Sequence, residues 1–300
     1  MKSEERYQIN SILMKKLLIV PLLLAFVACN NESPELPGVF TVGKNKQIQF
    51  SPGLLQYRAS TDTWRFAKSQ LDFIGEDNVK ISSSYNGWID LFGYGCSGYD
   101  NKYPWQTSRN REDYAPTFDD GITGTEYDWG IHCQIQNGGP EGSWRLPTCD
   151  DWYYMFLRRE NANNLATLAY VDTIKGLLLL PDNWENTLNL NLYFMKNGVE
   201  KGEEGVLEKN HLTKAQWKNL EKTGAVFLPA CGVRTVTISG PNEGMPQYYY
   251  QVNATYWCST SLYEGAEPWE LLIMSKKACC DALNMWIGRG FSVRLVKDVK

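Results

Sequence analysis

The sequence is poor in the residues that build metal and redox centres. It has only two histidines, His132 and His211, far apart along the chain, and none of its eight cysteines forms a Cys-x-x-Cys pair. Histidine-built zinc sites, zinc knuckles and thioredoxin-type sites all need such clusters. We therefore expect no metal and no cofactor. A structural calcium ion is compatible with the sequence, but no motif supports one.

The sequence also lacks a cluster of basic residues. Lys and Arg number 30 against 34 Asp and Glu, which gives a formal net charge of −4. Nucleic-acid binding requires a Lys/Arg footprint that neutralises phosphates. We expect no nucleic-acid partner.

Common catalytic signatures are missing as well. The chain has no Gly-x-Ser-x-Gly motif, no phosphate-binding loop and no dinucleotide-binding glycine pattern. Two pairs of carboxylates, Asp119–Asp120 and Asp150–Asp151, are adjacent in sequence. Because adjacent residues do not face each other on a helix, we interpret both pairs as caps or solvated loops rather than a glycosidase dyad. The sequence predicts a protein that is not an enzyme.

No apolar run is long enough to cross a bilayer. The apolar stretch Leu17–Val27 has 11 residues, about 16 Å as a helix against a bilayer core of roughly 30 Å. Met14–Lys16 precedes it and Ala28–Cys29 follows it. This order is typical of a secretion signal.

The stretch Phe26–Cys29 resembles the bacterial lipobox, with Phe where Leu is commoner. The resemblance implies that Cys29 is acylated and becomes the mature N-terminus. We therefore expect a signal peptide over residues 1–28, a polar tether over 29–37 and a domain over 38–300. The expected location is the outer membrane, facing the cell surface or the periplasm. The alternative is a secreted protein with a free Cys29, or a buried apolar segment.

Seven of the eight cysteines follow Cys29. An oxidising compartment permits disulfides, and the odd number leaves at least one of these cysteines unpaired. Cys133 and Cys149 are the first pair to test, on proximity in sequence alone. The pairing stays open.

Residues 38–300 contain no linker and no repeat, so we expect one domain. Thr-capped helices are predicted over Thr148–Glu160 and Thr213–Lys222, and structured loops over residues 76–143. Short strands are predicted over Phe40–Val42, Gln47–Phe50, Leu54–Tyr57, Thr63–Phe66, Gly176–Pro181, Ala225–Ala230, Tyr256–Thr260, Trp269–Met274 and Phe291–Val296. Few helices and many short strands are typical of an α+β fold.

Aromatic residues are abundant: the chain has 11 Trp and 17 Tyr. Such side chains suit an exposed binding face, because they offer large, stiff contact area. They also suit a loop-rich fold that fixes its loops with aromatic rings. Both interpretations stay open.

Several segments resemble one superfamily. Trp144–Trp152, with its Arg-Leu-Pro-Thr run, resembles the signature of sulfatase-modifying-factor-like domains, which have a C-type-lectin-like fold. Gly290–Val296 resembles their terminal strand. Gly176–Trp184, Ala225–Pro229 and Tyr256–Ser261 resemble the Bacteroidales lipoproteins of the Fibrobacter-major-paralogous-domain type. The resemblance implies a single C-type-lectin-like domain with two main helices and long structured loops.

The motif around Pro147 also has a physical interpretation. Pro147 forces Leu146 into extended geometry and Thr148 then caps a helix, so we predict a structural role for Trp144–Trp152. Arg145 and Asp151 could pair there, as an exposed pair of little energetic weight.

The enzyme and lectin chemistries of that superfamily do not carry over. Its formylglycine-generating members hold copper with two cysteines near the C-terminus, where this chain has Cys258, Cys279 and Cys280. Cys279 and Cys280 are adjacent and their surroundings do not match. The Glu-Pro-Asn and Trp-Asn-Asp signatures of calcium-dependent lectins are absent.

The segment 262–289 is the candidate binding face. In the Bacteroidales lipoproteins that the chain resembles, this stretch is typically polar, whereas here it carries Trp, Met and Cys residues. Some C-type-lectin-like proteins of this kind are targets of diversity-generating retroelements, which randomise a segment ending near the last strand, so the resemblance implies a diversified binding segment here. Loops on a scaffold commonly carry recognition, and Trp, Tyr and Arg are frequent in binding hot spots. The candidate ligand-binding residues are Tyr263, Glu264, Glu267, Trp269, Glu270, Lys276, Lys277, Asn284, Trp286 and Arg289.

Three alternatives stay open. Trp269, Leu271 and Ile273 alternate as a core strand would. The protein could instead be a structural or adhesive surface component, or an enzyme of the sulfatase-modifying kind. The preferred expectation is a lipid-anchored module that binds a protein or a glycan.

Overall fold

The computed structural model describes residues 35–118, 121–237, 241, 244–250, 253–261, 268–281 and 287–299. The expected signal peptide, Cys29 and most of the expected tether lie outside these residues. Residues Ser33–Lys300 form one compact unit. Among the described residues, no helix has the length and apolar character that crossing a membrane requires.

The described residues form a mixed α+β structure of short strands and four helices, which confirms the α+β part of the predicted fold class. The helices are α1 Trp129–His132, α2 Cys149–Leu157, α3 Gly198–Lys201 and α4 Lys214–Glu221. The strands are β1 Phe40–Gly43, β2 Lys46–Phe50, β3 Leu55–Arg58, β4 Thr63–Phe66, β5 Leu91–Phe92, β6 Ala166–Val171, β7 Ile174–Leu179, β8 His211–Leu212, β9 Val226–Pro229, β10 Val233–Val236, β11 Pro246–Tyr249, β12 Ala254–Ser261, β13 Pro268–Ile273, β14 Ala278–Asp281, β15 Phe291–Ser292 and β16 Val296–Asp298.

The described strands form open sheets. A five-stranded sheet has the order β14-β13-β12-β15-β5, a four-stranded sheet β8-β6-β7-β9 and a three-stranded sheet β1-β2-β16. Two hairpins, β3–β4 and β10–β11, complete the described part.

Both predicted helices form, and reciprocal caps start them. The Thr148 hydroxyl accepts a hydrogen bond from the Asp151 backbone N–H at 3.0 Å, and the Asp151 carboxylate accepts one from the Thr148 N–H at 2.9 Å. Thr213 and Gln216 make the same capping box at α4. Helix α2 ends at Leu157, short of the predicted Glu160. Beyond it the buried Arg159 donates to the carbonyl oxygen of Leu180 at 3.0 Å.

The predicted strand Phe291–Val296 is wrong in one respect, because the structure divides it between two sheets. Ser292 pairs with Leu91 in the five-stranded sheet, whereas Val296 pairs with Phe50 in the three-stranded sheet. The residues between them are buried and bond to the chain around the start of β3: the Val293 carbonyl accepts from the Leu55 N–H at 3.0 Å, and the Leu295 carbonyl accepts from the Ser51 N–H at 3.0 Å. This crossing joins the two sheets.

The ion pair of Arg145 is buried, so its expected exposure is wrong. Arg145 Nη1 lies 2.6 Å from Asp151 Oδ2, and Nη2 lies 2.9 Å from Asp298 Oδ1. Burial alone would raise the pKa of Asp151, but the charge and hydrogen bond of Arg145 outweigh it and lower that pKa. The Trp144–Trp152 segment thus ties the start of α2 to the last strand, as a structural role predicts.

The seven described cysteines are all buried thiols without disulfides. Cys133 packs in an aromatic-rich cluster with Trp129 and Trp144, whereas Cys149 packs in a separate cluster with Trp152. The pair Cys133–Cys149 is therefore not joined in this structure.

Candidate functional site

The candidate binding segment is built on three antiparallel strands. Leu271 of β13 pairs with Tyr256 of β12 on one side and with Cys280 of β14 on the other. Ser261, which ends β12, pairs with Pro268, which begins β13. The end of β14 reaches the same end of the sheet.

Two connections therefore start from one end of this sheet. The first follows Ser261 and the second follows Asp281. Five candidate residues belong to them and lie outside the described residues: Tyr263, Glu264, Glu267, Asn284 and Trp286.

Lys276 and Lys277 lie at the opposite end of the β13–β14 hairpin. A strand of six residues separates the two ends, roughly 20 Å at 3.4 Å per residue. Lys276 is exposed, and its Nζ lies 2.7 Å from Glu204 Oε1. The structure does not bring these two lysines together with the strand ends Ser261, Pro268 and Asp281.

Trp269 and Glu270 belong to β13 itself. Trp269 is half-buried, and its ring centroid lies 6.3 Å from that of Tyr153 on helix α2, at an interplanar angle of 74°. Glu270 is fully buried. Arg289 is half-buried and precedes Gly290, whose backbone pairs with that of Arg234.

The alternative of a core strand is confirmed for Leu271 and Ile273, which are 0% and 2% exposed. Leu272, on the other face, is equally buried at 4%. Both faces of this strand are covered, so its sequence shows no clean alternation.

The adjacent aspartates and the C-terminal cysteines, which the sequence analysis considered as catalytic or metal-binding groups, can be compared with their surroundings in the structure. Asp150 is exposed whereas Asp151 is held by Arg145, and Asp119 and Asp120 lie outside the described residues. The Sγ atoms of Cys258 and Cys280 are 3.3 Å apart in the core. Burial raises the pKa of both thiols, which disfavours the thiolate form that binds metals.

The structure also shows a cavity that the sequence analysis did not assign. It encloses about 730 Å³, between the β3–β4 hairpin, the segment 97–105 and the segment 132–139. Its aromatic wall includes Tyr57, Trp64, Tyr103 and Trp105. The one available signal was the density of aromatic residues within loops predicted over 76–143.

No family model, curated protein or solved structure matches this chain. Within the part of the chain that the structure describes, no cluster of three or more His, Cys, Asp or Glu side chains could hold a metal ion. The expected absence of a cofactor stays a prediction.

Proposed function

We propose that the protein is an exported lipoprotein, anchored to the outer membrane through an acylated Cys29, whose domain binds a protein or glycan ligand. The ligand contacts the two connections that follow Ser261 and Asp281. The domain is C-type-lectin-like, as the resemblance of Trp144–Trp152 and Gly290–Val296 implies, and it acts by binding rather than by catalysis.

One observation carries this proposal: the strand ends Ser261, Pro268 and Asp281 meet at one end of a sheet whose strands are buried. Sequence-variable loops on a rigid scaffold are the usual carriers of recognition. The two connections contain Tyr263 and Trp286, residue types that are frequent in binding hot spots.

Binding by the mature protein, purified in detergent, tests the ligand-contacting role. The double variant Tyr263→Ala/Trp286→Ala is compared with Lys276→Ala, which changes the opposite end of the hairpin. Probes are a glycan array and isolated bacterial and host surface proteins, and near-UV circular dichroism checks folding. We expect the double variant to lose binding and Lys276→Ala to retain it. Equal binding by both variants would contradict the assignment.

The anchor is tested separately. Cys29→Ser should shift the protein from the detergent phase to the aqueous phase on Triton X-114 partition and should abolish incorporation of labelled palmitate. Unchanged partition and labelling would contradict acylation at Cys29.

A further inference from the structure

The cavity beside the β3–β4 hairpin has a wall of successive aromatic rings. The ring of Trp105 stacks on Tyr103 at a centroid distance of 4.9 Å and on Tyr57 at 6.1 Å. Trp64 lies beyond, 4.5 Å from Tyr57. Tyr103 is 41% exposed, so it is the outermost ring and one of its faces is free of Trp105.

Polar groups on the rim complement this wall. Tyr57 Oη donates to Asp62 Oδ1 at 2.9 Å, which leaves Oδ2 to accept from a ligand. Nδ1 of His132 is hydrogen-bonded to Oε2 of Glu126 at 2.9 Å. This bond orients the imidazole ring and leaves its Nε2 for a ligand. The exposed side chain of Gln134 adds an amide donor and acceptor.

The charge of the lining selects among ligand classes. Among the described residues that line the cavity there is one carboxylate, Asp62, and neither lysine nor arginine. Lysine and arginine form the strongest hydrogen bonds to phosphates and carboxylates, and the carboxylate of Asp62 repels an anion, so this lining disfavours an anionic ligand. The amide, carboxylate and imidazole groups suit a ligand rich in neutral hydroxyls.

The cavity is also held open by its own framework. Asn137 clamps the segment 132–139 to β4, because its Oδ1 accepts from the Phe66 N–H at 2.7 Å and its Nδ2 donates to the Phe66 carbonyl at 3.1 Å. The buried Arg234 donates from Nη2 to the carbonyl of Gln106 at 3.1 Å, next to Trp105. A preorganised wall lowers the entropic cost of binding.

We propose that this cavity is a second binding site, separate from the C-terminal connections, and that it takes a neutral saccharide. The C–H face of a pyranose ring packs on Tyr103, while its hydroxyls bond to Asp62, His132 and Gln134. The volume of about 730 Å³ lies within the roughly 300–1,000 Å³ of small-molecule sites.

The test is a titration of the full mature chain, in detergent, with cellohexaose, maltohexaose and mannohexaose, and with trigalacturonate as the acidic comparison. The variants are Tyr103→Ala, Trp105→Ala and Gln134→Ala. The matched control is Trp88→Ala. This half-buried tryptophan lies outside the cavity lining, and its ring centroid is 4.3 Å from Cζ of Arg58 and 3.7 Å from Cζ of Arg65. Near-UV circular dichroism checks that each variant is folded.

We expect at least one neutral hexasaccharide to bind more tightly than trigalacturonate. Trp105→Ala should weaken it by about tenfold or more, since the ring of Tyr103, on which the sugar packs, loses the ring that supports it. Tyr103→Ala, an exposed position, should act likewise even if Trp105→Ala fails to fold, and Trp88→Ala should leave binding unchanged.

Several results would overturn the proposal. They are no binding of any neutral hexasaccharide, tighter binding of trigalacturonate, or equal binding by parent and cavity variants. Loss of saccharide binding only in Tyr263→Ala/Trp286→Ala would place the sugar on the C-terminal connections. That result would support the proposed function and reject this cavity.

Discussion

The guanidinium of Arg234, fully buried, donates from Nη2 to the carbonyl oxygen of Gln106 across 3.1 Å. Gln106 follows Trp105 in the chain, so a strand residue distant in sequence positions the aromatic wall of the cavity. Within the described residues, Nε and Nη1 of Arg234 have no hydrogen-bond partner. Burial lowers the pKa of Arg234 to about 10.

Arg234→Met should weaken saccharide binding while changing stability little. The loss should be roughly twofold to tenfold, the effect of one net hydrogen bond. Stability changes little because replacing an incompletely paired buried charge by an apolar side chain removes a desolvation cost. Titration and urea unfolding measure the two effects.

Arg294→Met is the control for this variant. Arg294 is equally buried, has its pKa lowered to about 10 by burial, and bonds Gln70 rather than the wall of the cavity. Equal loss of binding in both variants would show a general effect of removing a buried arginine rather than positioning of Gln106.

Arg145→Ala should destabilise the domain by roughly 3–5 kcal/mol, the range for breaking a buried ion pair. The variant leaves Asp151, which is only 1% exposed, without its buried cation; its remaining cationic partner is the exposed Lys46, whose Nζ lies 3.2 Å from Asp151 Oδ1. Asp298→Asn should cost less than about 1 kcal/mol, because the Asp298 side chain is 52% exposed. Urea unfolding of both variants measures the two changes in stability. Similar losses of stability in Arg145→Ala and Asp298→Asn would contradict this prediction.

Stability should fall as the pH rises from about 4 to about 6. Burial raises the pKa of Asp90 and of Asp128 from 3.8 to about 6. Between these values the unfolded chain has lost protons that the folded chain still holds, so the stabilisation present below the unfolded pKa is lost. The fall is at most about 3 kcal/mol for each carboxyl group, from 1.36 kcal/mol per pKa unit.

Urea unfolding between pH 4 and pH 7 measures this dependence. Asp128→Asn keeps an acceptor for the N–H groups of Gly130 and Leu146, which Asp128 binds at 3.0 Å, but cannot ionise. In Asp128→Asn, the free energy of unfolding should therefore fall less between pH 4 and pH 6, by the part that the Asp128 carboxyl group contributes. An unchanged slope in Asp128→Asn would reject that carboxyl group as the source.

Trp269→Ala should cost roughly 2 kcal/mol of stability, less than the loss of a fully buried tryptophan. The half-buried ring packs against Tyr153 and the core. Urea unfolding together with binding separates structure from recognition: full stability with lost binding would instead place Trp269 on the ligand face.

Local signals in the sequence predicted much of the fold. Helices α2 and α4 followed from Thr148 and Thr213, because a capping box involves residues only three apart. The division of Phe291–Val296 did not follow, since an apolar run does not reveal that Ser292 and Val296 pair with different strands. The contacts of Arg145 with Val296 and Asp298 did not follow either, because both residues are far away in sequence.

The candidate site residues could likewise be predicted only where they are close together in sequence. The sequence placed Trp269, Lys276 and Arg289 in one segment, but strand length puts Lys276 at the far end of a hairpin from Pro268. The cavity joins Trp64, Trp105 and His132 from three separate segments. Only tertiary structure brings such residues together. Composition therefore indicated a surplus of aromatic residues but not the cavity that several of them line.

The central strand of the three-stranded sheet, β2, lies near the beginning of the domain, and its second partner, β16, follows far later in the sequence: Val296 pairs with Phe50. Until Val296–Asp298 emerges, β2 keeps an open edge that can pair with another chain. The three-stranded sheet is therefore incomplete until β2 and β16, which are far apart in the sequence, have come together. A chain that lacks Val296–Asp298 would expose this edge permanently, a risk of aggregation and proteolysis.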